Sequence, residues 1–198
     1  IRNKVVATSG STIDGNRDNC RVMECEMGNL VADAMLDRVA NQGVVIAIAN
    51  SGGVRSSIDA GDVTMGEVYT VLPFQNTLST FEASGAMIIA ALENGVSEYE
   101  DVAGRFPQVA GMSFTVDPAA EVGARISDVM VGDAAIDLAV TYGVVSNNYV
   151  RGGGDGYKMF RDAANAYDFG PDLAEVMADY MAAQGDYAPY TDGRITVK

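Results

Sequence analysis

The sequence predicts an α+β fold: a single compact domain in which mixed β-sheets are layered with helices. Three observations predict it. Residues 23–40 and 173–181 repeat apolar side chains at helical spacing. Short runs rich in β-branched residues, such as VVIAIAN, are too brief and too continuously apolar for amphipathic helices. No internal repeat, low-complexity tract or linker-like stretch divides the 198 residues.

The elements follow in order. In residues 23–40, Met27, Leu30, Ala34, Met35 and Val39 mark the buried face of a helix, and Gly43 supplies its stop. VVIAIAN follows as a buried strand, and SGGVR leaves it as a tight turn. Residues 64–72 open with Thr-x-x-Glu, the capping-box pattern in which Thr64 and Glu67 satisfy each other's amides. Pro73 ends that helix and leaves Phe74 in a loop. NTLSTFEA reads as a strand, after which Ser84 caps a helix running to about Glu98. Residues 113–116, 126–131 and 138–146 are three further strands. The last runs into GGGDGY, whose glycines weaken any regular element. Pro171 suits the first turn of a final helix. Leu173, Val176, Met177, Tyr180 and Met181 are its core stripe, Gly185 its stop, and RITV a closing strand.

Formal net charge is −14, from 13 Lys and Arg against 27 Asp and Glu. Non-specific nucleic-acid binding needs cations that neutralise phosphates, so this balance argues against nucleic acid and against anionic membrane surfaces. An anionic ligand requires the few arginines to gather locally. No apolar run approaches the roughly 18 residues of a membrane span. The chain opens at Ile1 with neither an initiator Met nor a signal peptide, and reads as a mature fragment or an excised domain.

Histidine is absent. That excludes Ser-His-Asp and Cys-His catalysis and any histidine metal site within these residues. Cys20 and Cys25 have four residues between them, not the two of a redox pair, and zinc needs more ligands. A disulfide across this short loop, in an oxidising compartment, and two buried thiols both fit the spacing.

Four stretches could carry chemistry. NSGGVR places Asn50, Gly52 and Gly53 at a strand end, where backbone amides can meet a ligand closely, with Arg55 able to pair with phosphate or carboxylate. LPFQN sets Phe74 beside Gln75 and Asn76, a face for a flat ring and amides for its edge. SNNYVRGGGDGY offers a second aromatic, Tyr149, and a carboxylate, Asp155, suited to a sugar diol. It is not a phosphate loop, lacking both GxxxxGK[ST] and GxGxxG. NRDNCR holds Arg17 and Arg21 beside the cysteines. Each stretch also has an ordinary structural reading as a turn, a surface arginine or a core aromatic. Together, two rings, amides, an acid and arginines are an inventory for a nucleotide.

CRVMECEMGNLVADAM, IANSGGVRSSIDAGDVT, VYTVLPFQNTL, FPQVAGMSFTVDP and NNYVRGGGDGYKMF carry a resemblance. In this order, from about Arg17 to Arg194, they resemble the C-terminal, substrate-binding domain of the bacterial and animal 5'-nucleotidases, a family that includes UDP-sugar hydrolases. The resemblance implies that Phe74 and Tyr149 sandwich a base, the second being often Phe in relatives. It places the ribose-binding acid on Asp155, phosphate-side arginines on Arg17, Arg21 and Arg55, and base-edge amides on Asn50 and Asn76, with Gly52 and Gly53 forming the turn. It implies that Cys20 and Cys25 are paired. Ser51 departs from the Gly of many members, and Arg151 and Gly152 replace residues that are often Ala and Asn or Thr, which puts an extra arginine beside the base clamp.

The resemblance further implies that residues 1–16 are the end of an interdomain connection and a first strand, and that 17–198 form the nucleotide-binding domain. A metallophosphoesterase domain upstream would hold two divalent metal ions. No cofactor and no catalytic residue is then expected in this chain, which would be inactive alone. The implied activity is release of phosphate from nucleoside monophosphates, in the periplasm or outside the cell. The alternatives are a 2',3'-cyclic nucleotide phosphodiesterase, a UDP-sugar hydrolase or, in another class, a non-catalytic nucleoside-binding or surface-interaction module.

Overall fold

The computed structural model describes residues 1–198 and resolves the alternating runs into twelve strands and six helices. They are β1 (Val5–Ser9), α1 (Arg17–Cys20), α2 (Glu26–Val39), β2 (Val44–Asn50), β3 (Gly61–Thr64), α3 (Met65–Val71), β4 (Leu78–Ser84), α4 (Gly85–Gly95) and β5 (Pro107–Ala110). Then follow β6 (Met112–Val116), β7 (Ile126–Val131), β8 (Ala134–Ala135), β9 (Thr141–Asn147), α5 (Asn148–Arg151), β10 (Ala164–Tyr167), α6 (Leu173–Ala183), β11 (Asp186–Tyr187) and β12 (Ile195–Val197).

These strands form three sheets, ordered β11-β1-β3, β10-β4-β9-β2-β5 and β12-β6-β7-β8. In the central sheet β9 lies parallel to β2 and antiparallel to β4, so the sheet is mixed, as the sequence predicts. Strand β2 is buried on both faces because its residues alternate between two cores. Ile46 and Ile48 join one, Ala47 and Ala49 the other. A register slip between Val44 and Ile46 turns Val45 out to solvent.

The first core, of 30 buried residues, takes Met27, Leu30 and Met35 of α2 and Leu173, Val176 and Met177 of α6. The second, of 19, takes Ile88 and Leu92 of α4 with Phe81, Phe106, Phe114 and Phe160. Each such side chain contributes roughly 1.5–3 kcal/mol on burial, so the sheet is held firmly from both sides.

That rigidity positions the site. Ala47 pairs with Val145 across β2 and β9, and Leu78 pairs with Asn147 across β4 and β9. The C-terminal ends of β2 and β9 and the N-terminal end of β4 therefore share one edge, and the loops that leave them meet there.

Several predicted boundaries shift for identifiable reasons. Helix α2 begins at Glu26 because Cys25 is its cap, the sulfur accepting from the Gly28 amide at 3.2 Å. Helix α4 stops at Gly95, short of Glu98. Gly95 is close-packed, since a Cβ there would sit 2.7 Å from Pro107, and Tyr99–Asp101 forms a separate 3-10 turn. Pro171 lies outside α6, because Asp172 is the cap and accepts from Glu175 N at 3.0 Å. The Thr64–Glu67 capping box forms in both directions.

Candidate functional site

The three loops at the shared sheet edge wall a cleft of about 580 Å³, joined by Arg21 and Gly104. Nine of the ten residues singled out for binding line it: Arg21, Asn50, Gly52, Gly53, Arg55, Phe74, Asn76, Tyr149 and Asp155. Arg17, the tenth, lines an adjoining cleft of about 300 Å³ that shares Arg21 and Arg55.

Phe74 and Tyr149 are 55% and 49% exposed. Neither belongs to the four ring pairs of the structure, whose centroids lie between 4.8 and 6.0 Å apart. Two half-exposed rings with no aromatic partner in a polar cleft offer apolar area that a flat ligand would cover. Gln75, at φ 57°, turns the chain sharply after Phe74. The Arg55 guanidinium carbon sits 5.7 Å from the Phe74 ring centroid, within cation–π range.

The glycines of GGGDGY shape the backbone around Asp155. Gly153 and Gly156 have φ of 99° and 79°, and Asp155 itself is left-handed at 53°. At Gly154 a Cβ would lie 2.5 Å from the Tyr149 ring, so only glycine lets the ring rest there. Hydrogen bonds then fix the carboxylate. Asn50 Nδ2 donates to Asp155 Oδ2 at 2.8 Å, and the Tyr149 hydroxyl donates to Oδ1 at 3.1 Å. Asn147 Nδ2 donates to Asn50 Oδ1 at 2.9 Å, while its own Oδ1 accepts from Val150 N at 2.8 Å and caps α5. Asn94 Nδ2 donates to the Asp155 carbonyl at 3.0 Å. Burial, then the charge of Asp155, pushes the Tyr149 phenol above its ordinary value. It stays a donor at neutral pH.

Arg21 is held by a different device. Cys20 and Cys25 form a disulfide with Cα atoms 5.1 Å apart, the pairing that the resemblance implies. Fully buried Gln108, from β5, reaches into the closed loop. Its Nε2 donates to the Cys20 and Met23 carbonyls, both at 2.8 Å, and its Oε1 accepts from Cys25 N at 3.2 Å. Gly28 makes room, since a Cβ there would lie 2.2 Å from Gln108 Oε1.

The Arg21 side chain that this loop presents is nearly buried and poorly satisfied. Nη1 makes one long bond to the Val102 carbonyl, 3.4 Å, and buried Nε has no partner. Desolvation first, then the charges of Arg17 and Arg55, lowers its pKa from the ordinary value. None of Arg17, Arg21 and Arg55 takes part in any of the six salt bridges. In a chain of net charge −14, neighbouring arginines without carboxylate partners are a ready anion site.

Two residues have partners that the sequence alone did not indicate. Asn50, expected at a base edge, is 5% exposed and commits its amide to Asp155 and Asn147. Arg151, though close to Tyr149 in the chain, does not line the cleft. It pairs with Asp168, Nε to Oδ1 at 2.8 Å, because β10 pairs with β4 and brings Asp168 alongside. Ser51 is buried, its hydroxyl donating to the Gly104 carbonyl at 3.4 Å.

Sequence reasoning missed Gly104, Asn147 and Gln108. A Cβ on Gly104 would stand 2.8 Å from the Gly52 Cα, so two backbones touch at the cleft wall. The one local signal was the paired asparagine before Tyr149 at a strand end. No group of three or more Cys, Asp or Glu side chains is placed to hold a metal, and the chain has no histidine, so these residues do not fit a two-metal centre.

The family model described as 5'-nucleotidase, C-terminal domain, matches residues 5–162. The chain belongs to the 5'-nucleotidase C-terminal domain family. Its relatives include the trifunctional nucleotide phosphoesterase protein YfkN of Bacillus subtilis (strain 168), 39% identical over 98% of this chain and 14% of that protein. The 5'-nucleotidase of Homo sapiens is 31% identical over 92% of this chain and 35% of its own. The crystal structure of the 5'-nucleotidase precursor from Thermus thermophilus superposes with a TM-score of 0.96 at 40% identity, covering 98% of this chain and 39% of that one. The chain thus spans well under half the length of these relatives, over the part that the C-terminal domain family describes.

Proposed function

We propose that this 5'-nucleotidase C-terminal domain binds the nucleoside phosphate on which a larger hydrolase acts, releasing phosphate from nucleoside monophosphates. The observation that carries the reading is convergence: two half-exposed rings, a fixed carboxylate and unpaired arginines share one cleft. Phe74 and Tyr149 stack on the base, and Asn76 meets its edge. Asp155 accepts from the ribose, with Asn50 positioning the acid rather than touching the base. Arg21 and Arg55, extended by Arg17, bind phosphate.

Hydrolysis belongs to a metallophosphoesterase domain of the same polypeptide. That domain would hold two divalent ions, which would supply an activated water and polarise the phosphate, while residues 1–198 would supply binding. The disulfide in a five-residue separation supports a periplasmic or extracellular setting.

Titration of AMP and adenosine into residues 1–198 and into Phe74→Ala tests this. Loss of one stacking face should weaken both ligands by about 1–3 kcal/mol, the scale of base–aromatic stacking, and AMP should be recovered intact. Equal affinity for the two proteins would remove Phe74 from the site.

A further inference from the structure

Both carboxylate oxygens of Asp155 already accept hydrogen bonds, Oδ2 from Asn50 and Oδ1 from Tyr149. The two donors differ in their freedom to leave. Asn50 is buried, and equally buried Asn147 holds its Oδ1. Turning the Asn50 amide away would strand buried polar groups. Tyr149 is half exposed, and Asp155 is the only partner of its hydroxyl. On release the phenol exchanges the carboxylate for water, so little is lost.

The contact is also shaped by the chain. The phenol end of the ring lies over Gly154, where any Cβ would push it off. A sugar hydroxyl entering the cleft therefore reaches Asp155 at the oxygen that Tyr149 covers.

Resting on the nucleoside reading above, we propose that the Tyr149 hydroxyl is a specificity-determining group: it occupies Asp155 Oδ1 in the free protein, and a ribose hydroxyl must displace it. Recognition of the diol then becomes an exchange of one hydrogen bond for another. Preference for ribose over sugars without hydroxyls is smaller than a free carboxylate would give.

Tyr149→Phe keeps the ring and removes the hydroxyl. Adenosine and 2',3'-dideoxyadenosine are titrated into wild-type 1–198 and the variant, and the ratio of the two affinities is compared. The ratio should rise about 2- to 10-fold in the variant, the scale of one net hydrogen bond, with dideoxyadenosine changing little. If both nucleosides bind and the ratio is unchanged or falls, the nucleoside reading stands and the exchange is refuted. If neither nucleoside binds either protein, the reading falls and the exchange with it.

Discussion

The acid side of the cleft and its arginine side are built on opposite principles. Around Asp155 the polar groups are satisfied internally: Asn147 holds Asn50, Asn50 and Tyr149 hold the carboxylate, and Asn94 holds its carbonyl. Around Arg21 the backbone is tied down while the charges are left open, with Nε buried and unpartnered and its neighbours Arg17 and Arg55 unpaired. A ligand that meets the first side trades hydrogen bonds, with little net gain. One that meets the second relieves a desolvated, mutually repelling cluster, and charge-assisted bonds there are roughly twice as strong as neutral ones. Phosphate should therefore dominate affinity while the acid side selects the sugar.

The largest expected effect breaks the scaffold of the arginine side. Gln108→Leu strips partners from two carbonyls and one amide in the disulfide loop. The Cys20 carbonyl and the Cys25 amide are buried and the Met23 carbonyl only partly so. At about 1–3 kcal/mol for each buried group left bare, the loss should be on the order of 2 kcal/mol or more. Urea unfolding measures it, and unchanged stability would mean the loop is not held by Gln108. Binding of AMP should fall more than that of adenosine, since the loop carrying Arg21 loosens while the Asp155 network does not.

Arg21→Met tests the division itself. Methionine keeps the packing and removes the charge. Affinity for AMP should fall by about 1.5–3 kcal/mol, the range for hydrogen bonds to charged groups. Affinity for adenosine should stay within about 0.5 kcal/mol, as for a substitution that touches none of the ligand. Calorimetry of both ligands decides it. Equal losses for AMP and adenosine would show that the arginines shape the whole cleft rather than its anion side.

Much of the scaffold was legible because it obeys local rules. The stripes of α2 and α6, the Thr64–Glu67 box and the doubly buried VVIAIAN each announce themselves within a few residues. Strand β5 does not: Pro107–Ala110 is buried at all four positions, including a glutamine, so no alternation marks it. Strand β10 fails for the opposite reason, being exposed throughout. Helices α1 and α5 are four residues each, too short for any period. In the cleft, residue type was readable but partnership was not. Asn50 meets Asp155 across 105 positions, and Gln108 meets Cys20 across 88, through sheet register that no local window contains.

Arg151 gives the smallest effect and the sharpest control, because it is an arginine near Tyr149 whose charge is already spoken for. Its hydrogen bonds, before its charge, hold the Asp168 carboxyl below the ordinary carboxylate range against opposing desolvation. A carboxyl depressed on folding stabilises the protein above its unfolded pKa, about 3.9 for Asp. That contribution disappears as pH falls through the folded value. The side chains are 19% and 31% exposed, so Asp168→Asn should cost no more than about 1 kcal/mol at pH 7. The difference between wild type and variant should shrink below about pH 4. Freed of its partner, Arg151 remains outside the cleft lining, and AMP affinity should not move. Tighter AMP binding by Asp168→Asn would place Arg151 with the open arginines and erase the boundary between the two sides.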